Sequence, residues 1–301
     1  MENLMDQRLK KHPLGFWEIA SKPTSQELQQ YYADKYYQEA KGSYELEYTK
    51  DELLYFRAKL EQRSTVLQHH LSSLNGGARR LLDVGCGEGY ALAFFREQGW
   101  SVKGIDFSSA GVESKNPSCM DALVAGDIFA LLQVEMATGE TYDVVWLQNV
   151  LEHVIDPLDL LKSLRTLVSP GGLAVVTVPN DCSITQRGAL AHQHIDSAFW
   201  VAPPDHLTYF DHDSLTSATN ETGWECIEML GDFPVDWFLF HPGSNYVRDK
   251  STGKAAHKAR VQIENLIHKQ PIEDVLRFWS ATAKLGIGRD ITAFLRPMGA
   301  D

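Results

Sequence analysis

Residues 79–90 read Arg-Arg-Leu-Leu-Asp-Val-Gly-Cys-Gly-Glu-Gly-Tyr, and this stretch decides the fold. An apolar run ends in three glycines, Gly85, Gly87 and Gly89, and a helical pattern begins directly after them. Such a pattern predicts a buried parallel strand that turns sharply into the N-terminus of a helix. Glycine suits that turn because it accepts unusual backbone angles and places no Cβ between the chain and a ligand. The stretch therefore predicts a cofactor-binding turn.

The rest of the chain alternates between strand and helix patterns. Helices are predicted near residues 91–98, 157–167 and 213–221, and strands at 81–84, 101–105, 123–125, 142–147, 173–178, 225–230 and 290–295. Strands that are separated by helices form parallel sheets with right-handed crossovers. We therefore expect an α/β fold with a doubly wound, mostly parallel, seven-stranded sheet that binds ligands at the carboxyl ends of its strands.

Two regions depart from this alternation. Residues 1–77 are predicted to form a helical, aromatic-rich N-terminal cap, and residues 78–301 the main domain. Within the main domain, residues 180–211 are irregular and rich in histidine, proline and aromatic residues. An insertion at about 231–288, with two helical stretches, precedes the last strand.

Composition narrows the possible partners. The 301-residue chain has a formal net charge of −12, which argues against nucleic acid or an anionic membrane as its main partner. No apolar stretch approaches the ~20 residues of a membrane span, and the polar N-terminus lacks the apolar core of a secretory signal. The four cysteines are widely spaced, so we expect reduced thiols in a cytoplasmic protein.

Two classes of cofactor use a strand, a glycine turn and a helix. The dinucleotide fingerprint Gly-x-Gly-x-x-Gly needs its third glycine for close packing of the helix on the strand. Here that glycine comes one position early, at Gly89, and Tyr90 occupies the fingerprint position. The glycine turn by itself leaves an NAD-dependent oxidoreductase open as one interpretation.

A wider set of motifs resembles the class I S-adenosylmethionine-dependent methyltransferases, among them ubiquinone-type O-methyltransferases and many small-molecule and sugar methyltransferases. The matching segments are Asp83-Val-Gly-Cys-Gly-Glu-Gly89, Asp106, Gly126-Asp-Ile128, Gln148-Asn-Val-Leu-Glu-His153 and Pro170-Gly-Gly172. They cover roughly residues 80–230 in order and at suitable spacing. The resemblance implies S-adenosylmethionine as the methyl donor.

The resemblance also implies which residues bind this cofactor. Asp106 is expected to accept hydrogen bonds from both ribose hydroxyls, because a carboxylate at a strand end can bind two donors in a fork. Asp127 is expected to contact the adenine amino group; alternatively it is a turn or cap residue. Arg57 is predicted to bind the cofactor carboxylate, with Arg63 as the other candidate, and either is alternatively a solvated helix charge. The complete predicted set is Asp83, Gly85, Cys86, Gly87, Asp106, Phe107, Asp127, Ile128, Gln148, Asn149 and Arg57.

Two histidines are candidates for the catalytic base. Methyl transfer from a sulfonium requires an acceptor held in line, exclusion of water and removal of the acceptor's proton. Histidine suits the last task because its reference pKa is ~6.5. His206 in Pro203-Pro-Asp-His-Leu-Thr-Tyr-Phe210 is the first candidate, and His153 is the second. The alternatives are a hydrogen bond within the loop for His206 and, for His153 together with Glu152, anchoring of a helix start.

No metal ion is predicted. Some ubiquinone-type enzymes hold a divalent ion at the segment of His153 with a further acidic residue, but that position here is Asn149. A second group is expected to face solvent or the acceptor rather than an ion. It consists of His192, His194, Asp196, Asp205 and His212.

The acceptor is predicted to be a small molecule with a hydroxyl or amine group, such as a sugar or specialised metabolite, and O-transfer is implied by the resemblance. Residues 180–211 and 231–288 are expected to cover it. A methyltransferase-like protein that binds the cofactor without catalysis is the alternative from another functional class.

Three further segments each have two interpretations. Trp237, Phe238 and Phe240 either line the acceptor pocket or pack in the core. The tyrosine-rich segment 31–48 forms either a lid over the cofactor or an aromatic packing surface. The helical pair near 252–285 forms either the surface of a homodimer or part of the cap.

Overall fold

The computed structural model describes residues 6–28, 30–31, 47–71 and 78–299. Its strands are β1 (Leu9–Lys11), β2 (Trp17–Ile19), β3 (Arg80–Val84), β4 (Ser101–Asp106), β5 (Leu123–Ala125), β6 (Tyr142–Gln148), β7 (Val168–Pro179), β8 (Thr208–Tyr209), β9 (Trp224–Gly231) and β10 (Asp290–Pro297). Its α-helices are α1 (Lys50–His70), α2 (Tyr90–Glu97), α3 (Ala110–Lys115), α4 (Ile128–Thr138), α5 (Pro157–Leu164), α6 (Ile184–Ala191), α7 (His212–Glu221), α8 (Gly253–Ile267) and α9 (Ile272–Lys284). Short 3₁₀ helices lie at Pro117–Ala122, Leu151–His153, Arg165–Leu167, Val235–Phe240, Pro242–Ser244 and Lys250–Thr252.

A seven-stranded sheet forms the centre of the molecule. Its strand order is β5-β4-β3-β6-β7-β10-β9. Strand β10 runs antiparallel to both of its neighbours, and the other six strands run in one direction. The carboxyl ends of these six strands and the amino end of β10 therefore meet at one edge. The predicted doubly wound, mostly parallel sheet is confirmed.

Both faces of the sheet are covered, because successive side chains along each strand point to opposite sides. Leu82 and Val84 belong to an apolar cluster with residues of α4, α5 and α7, whereas Leu81 belongs to a cluster with residues of α1, α2 and α9. All three side chains are fully buried. Burial of each such side chain stabilises the fold by about 1.5–3 kcal/mol, so the apolar run before the glycines anchors the sheet.

Polar residues fix where several helices begin. Thr49 and Glu52 form a capping box at α1, and the Asp127 carboxylate accepts a hydrogen bond from the backbone N–H of Ala130 at α4. Ser109 stands at the cap position of α3 without a side-chain capping bond, while the Ser108 hydroxyl accepts one from the Ala110 N–H at 3.2 Å. Such caps satisfy N–H groups that a helix leaves free at its start.

The N-terminal region is only partly helical. Helix α1 agrees with the predicted cap, but the prediction of a helical region is wrong for β1 and β2, which form a hairpin. Strand β2 also pairs with β8 and completes a three-stranded sheet. The first described residues are thereby joined to the end of the irregular segment. The predicted boundary at residue 77 lies outside the described residues.

Two other predictions need correction or extension. The Pro170-Gly-Gly172 turn was expected before a strand, but β7 runs through it, with a shift in the pairing register with β6 between Tyr142 and Val144. The segment 180–211, expected to be irregular, contains helix α6 and the short strand β8. The insertion before the last strand contains α8 and α9, as predicted. Among the described residues, no helix combines the length and apolar character needed to cross a bilayer.

Candidate cofactor and acceptor site

The glycine turn lies at the carboxyl edge of the sheet in left-handed backbone conformations. Gly85 has a φ of 73° and Gly87 a φ of 55°, a region that side chains other than glycine rarely adopt. A Cβ added to Gly85 would lie 2.5 Å from Cγ2 of Val150, whereas nothing lies within 4 Å of one added to Gly87. The turn therefore packs tightly on one side and leaves open space on the other.

Two buried carboxyl groups organise this turn. The Asp106 carboxylate accepts hydrogen bonds from the N–H of Gly87 at 2.7 Å and of Ser108 at 3.1 Å. Burial raises the pKa of Asp106, and burial together with the charge of Asp106 raises the pKa of Asp83 to about 8. Asp83 is therefore mostly protonated at neutral pH. Each Asp106 oxygen keeps a further lone pair for a ligand hydroxyl.

Two cavities meet at the turn and share Gly85, Gly87 and Gln148. One of about 360 Å³ contains, from the predicted cofactor set, Asp83, Gly85, Cys86, Gly87 and Gln148. The other, of about 200 Å³, contains Gly85, Gly87, Asp106, Phe107, Ile128, Gln148 and Asn149. Most of the predicted cofactor residues, which come from four loops of the sheet edge, therefore line one continuous region.

Arg57 is an exception: it lines neither cavity, so the structure does not support its prediction as a cofactor ligand. Its guanidinium pairs with Glu61 at 3.1 Å and with Glu97 at 3.0 Å on the outer side of α1, and half of its side chain is exposed. Arg63, the other candidate, is buried, lines the larger cavity and donates a hydrogen bond to Gln148 at 2.8 Å. The six-residue offset places the two arginines on different faces of the helix.

Asp127 occupies a capping position in the structure. Its carboxylate accepts the Ala130 N–H at 2.8 Å, which was the structural alternative for this residue. It lines a third cavity, of about 450 Å³, between α4 and α5, while the neighbouring Ile128 lines the smaller cofactor cavity. Contact between Asp127 and the adenine amino group stays a prediction.

The two candidate bases lie together beside the smaller cavity. The rings of His153 and His206 are 4.9 Å apart, centre to centre, in an edge-to-face arrangement. Nδ1 of His153 lies 2.7 Å from the carbonyl oxygen of Asp205, and its Nε2 lies 3.6 Å from the Glu152 carboxyl. Both nitrogens of His153 thus face protein groups, and the side chains of His153 and His206 are 23% and 19% exposed.

Glu152, His153 and His206 also place one ligand atom each within 4.8 Å of one another. A metal ligand must be deprotonated, but burial raises the pKa of Glu152 well above its ordinary value. The further acidic residue expected of a metal-binding enzyme is replaced by Asn149, whose backbone N–H donates to Thr177. Both Glu152 oxygens are buried without a hydrogen-bond partner among the described residues, and the raised pKa disfavours the charged carboxylate that a divalent ion requires.

The second histidine-rich group is spread out. The rings of His192 and His194 are 6.4 Å apart, Asp196 pairs with Arg248, and His212 pairs with the neighbouring Asp213. The structure therefore does not gather these side chains around one point.

The aromatic residues singled out in the sequence differ in their exposure. Phe238 packs against Phe233 beside the core, while Trp237 and Phe240 are exposed. Of the tyrosine-rich segment, residues 32–46 lie outside the described residues. Tyr48 lines the larger cavity and donates a hydrogen bond to the Glu88 carboxylate at 3.0 Å.

Sequence reasoning missed several cavity residues. Tyr55 and Lys59 line the larger cavity together with Arg63, and Asp290 joins them from the start of β10. A spacing of four residues places Tyr55, Lys59 and Arg63 on one face of α1, and this regular spacing was the available signal. Asp290 offered no local signal because it belongs to a strand far along the chain.

The protein has a doubly wound sheet whose carboxyl edge carries the glycine turn, Asp106 at the end of β4 and two adjoining cavities. These features define a nucleoside-cofactor-binding α/β protein. Residues 42–229 match a family model described as a methyltransferase domain. The chain belongs to this methyltransferase family. The match confirms the class predicted from the motifs and S-adenosylmethionine as its cofactor, in place of NAD.

Individual relatives are similar over about half of the chain. A ubiquinone biosynthesis O-methyltransferase from Ralstonia nicotianae is 36% identical over 156 residues, which cover 51% of this chain and 66% of the relative. One from Vibrio cholerae is 37% identical over 170 residues, which cover 50% of this chain and 66% of that relative. The chain thus spans slightly less than two thirds of these relatives. A crystal structure of a SAM-dependent methyltransferase from Archaeoglobus fulgidus aligns with a TM-score of 0.49 and 17% identity, covering 86% of this chain and 99% of that one.

Proposed function

We propose that the protein transfers the methyl group of S-adenosylmethionine to a hydroxyl group of a small molecule. The observation that carries this proposal is the pair of cavities that meet at the glycine turn. The bound cofactor supplies a methyl group that is already activated by its sulfonium. The O-methyltransferase names of the relatives support transfer to oxygen.

The residues of the two cavities suit the two ends of the cofactor. Asp106 offers carboxylate lone pairs for ribose hydroxyls, and Ile128 offers an apolar surface for the adenine ring. Arg63 provides a cation for the carboxylate of the amino-acid end, a pairing that is strong in a partly enclosed site. The open space above Gly87 leaves room for the ligand to approach the backbone.

His206 is the better candidate for the base. No hydrogen bond to its Nε2 is present among the described residues, whereas both nitrogens of His153 face protein groups. Residues 180–211, which carry His206, and the insertion 231–288 are proposed to cover the acceptor. Pairing of β8 with the N-terminal hairpin holds the loop of His206 in place.

The cellular location, the oligomeric state and the identity of the acceptor are also proposals. The three buried cysteines and Cys226 are free thiols, which supports a reducing, cytoplasmic setting. A homodimer through α8 and α9, and a sugar as acceptor, stay predictions.

The test is transfer of label from S-[methyl-³H]adenosylmethionine to 3,4-dihydroxybenzoate, a sugar nucleotide, an aliphatic amine and a small-molecule extract. We expect labelled product from a hydroxyl-bearing compound. His206→Ala should lower turnover by about 10²–10⁴-fold, the usual contribution of a general base. His212→Ala is the matched control, since His212 pairs with Asp213 at the surface, and its turnover should be unchanged.

Two outcomes would contradict the proposal. Label on the amine alone would exclude the hydroxyl acceptor. Binding of S-adenosylhomocysteine by calorimetry without labelled product from any probe or extract would favour the non-catalytic binding protein.

A further inference from the structure

A buried carboxylate lies behind His206 and is not explained by cofactor binding. Asp181 lies two residues after the end of β7 and is 1% exposed. One of its oxygens, Oδ1, accepts a hydrogen bond from the Arg289 guanidinium at 3.1 Å. Arg289 precedes β10, lies 4.0 Å from the Asp236 carboxylate and packs over the ring of Phe199 at 5.9 Å. The hydrogen bond and ion pair with Arg289 hold the buried Asp181 carboxylate in position.

The other oxygen of Asp181 faces His206. Oδ2 of Asp181 and Nδ1 of His206 are 3.7 Å apart. Both atoms are sealed from solvent, and neither has a hydrogen-bond partner among the described residues. A buried polar atom without a partner costs about 1–3 kcal/mol. A small approach of the ring would pair the two atoms and remove both penalties.

The surroundings of the ring hold it in this orientation. His153 packs edge to face against it, and the Tyr209 ring centre lies 6.3 Å away. The Tyr209 hydroxyl also donates to the backbone carbonyl of His206 at 2.8 Å. Glu152 is the other carboxyl close to the ring, and burial raises its pKa, which disfavours its charged form. Asp205, the sequence neighbour, has its carboxylate 3.7 Å from His153.

We propose that Asp181 is a positioning residue that holds the proton of His206 on Nδ1, with Arg289 anchoring the carboxylate. The inference rests on the proposed role of His206 as base. Because Nδ1 carries the proton, Nε2 keeps its lone pair. The acceptor hydroxyl passes its proton to Nε2 while its oxygen forms the new bond to the methyl carbon and the carbon–sulfur bond breaks. The charge of Asp181 then stabilises the imidazolium.

The tautomer can be observed without knowing the acceptor. Long-range ¹H–¹⁵N spectra of histidine-labelled protein are recorded with a chelator present, and the His206 signals are assigned by their loss in His206→Gln. We expect the Nδ1–H tautomer in the wild-type protein. In Asp181→Asn the side-chain amide donates a hydrogen bond to Nδ1, so the Nε2–H tautomer should predominate. Asp205→Asn is the matched control, which removes a nearby carboxylate that faces His153 and should leave the His206 tautomer unchanged.

Turnover provides a second readout. With an acceptor found by label transfer, Asp181→Asn should reduce kcat at least about tenfold and leave the KM for S-adenosylmethionine within about twofold, because a wrong tautomer impairs proton removal and not cofactor binding. The Asp181→Glu variant, if it restores the tautomer, should restore part of kcat.

The outcomes separate this inference from the proposed function. An Nε2–H tautomer in the wild-type protein refutes the role of Asp181, even if Asp181→Asn does not fold, and an active enzyme with that tautomer leaves the proposed function standing. A His206 nitrogen shift on addition of Mg²⁺ would make the ring a metal ligand and also refute it. The Nδ1–H tautomer in a protein that methylates nothing would contradict the proposed function alone.

Discussion

The packing of the glycine turn can be tested by adding one methyl group to Gly85. A Cβ at this position would lie 2.5 Å from Cγ2 of Val150, and the φ of 73° is unfavourable for alanine. The left-handed conformation costs about 1–2 kcal/mol, and overpacking costs about 1–3 kcal/mol. We therefore expect Gly85→Ala to lower the free energy of unfolding by ~2–5 kcal/mol relative to wild type.

Gly87→Ala is the matched control, because it has the same backbone strain but no atom within 4 Å of its Cβ. It should cost only ~1–2 kcal/mol of stability, while its methyl group, which projects into the shared part of the cavities, should weaken binding of S-adenosylhomocysteine. Val150→Ala removes the clashing atom, so the double variant with Gly85→Ala should recover ~1–3 kcal/mol of the loss. Urea unfolding gives the free energy of unfolding of the wild type, the two glycine variants and the double variant. Tight packing of Gly85 against Val150 is refuted if Gly85→Ala costs no more stability than Gly87→Ala, or if adding Val150→Ala recovers none of the loss.

Three other predictions concern binding, pH dependence and thiol reactivity. Arg63→Met should weaken S-adenosylhomocysteine binding by roughly 10- to 100-fold, the value of a hydrogen bond to a charged group. The control Arg57→Met should change the affinity less than about twofold. Equal effects of the two variants in calorimetry would contradict the placement of these side chains. The pKa of Asp83 is raised from 3.8 to about 8, so the folded protein holds a proton that the unfolded chain releases, and stability should fall as pH rises between these values. Urea titrations at several pH values should show that Asp83→Asn lacks this pH-dependent part of the free energy of unfolding, which is worth up to ~1.4 kcal/mol per pH unit. The same slope of unfolding free energy against pH in both proteins would refute a raised pKa for Asp83. Burial raises the pKa of the Cys86 thiol, so at pH 8 it should react with a disulfide reagent at least about 100-fold more slowly in the native than in the unfolded chain; comparable rates would show that the turn is open.

Most of the fold is encoded in short segments and was predictable. The apolar run before Gly85 forms β3, and each later strand and helix of the alternating pattern is present within a few residues of its predicted bounds. Strand period, helix caps and the glycine requirement act over a few residues, so they are visible in the sequence. The exceptions include helix α6 and the short strands β1, β2 and β8. Strand β1 pairs with β2, and β2 pairs with β8. A partner so distant in sequence gives no local signal.

The same division applies to the candidate site. The positions of Gly85, Gly87, Asp106 and Ile128 followed from motifs, and the structure places them along one pair of cavities. The choice between Arg57 and Arg63 depended on which face of α1 packs against the sheet, and the solvent-facing pairs of Arg57 with Glu61 and Glu97 decide it.

The sequence by itself determined the class of fold and the glycine turn, because both depend on local backbone requirements, and its motifs indicated the cofactor through their resemblance to a known family. Only the tertiary structure brought Asp181 to His206 and joined it to Arg289, which is 108 residues further along the chain. The three side chains meet because β7 and β10 pair side by side and the β8 loop folds over their ends. Contacts of this kind arise from the packing of distant segments, which no short sequence pattern records.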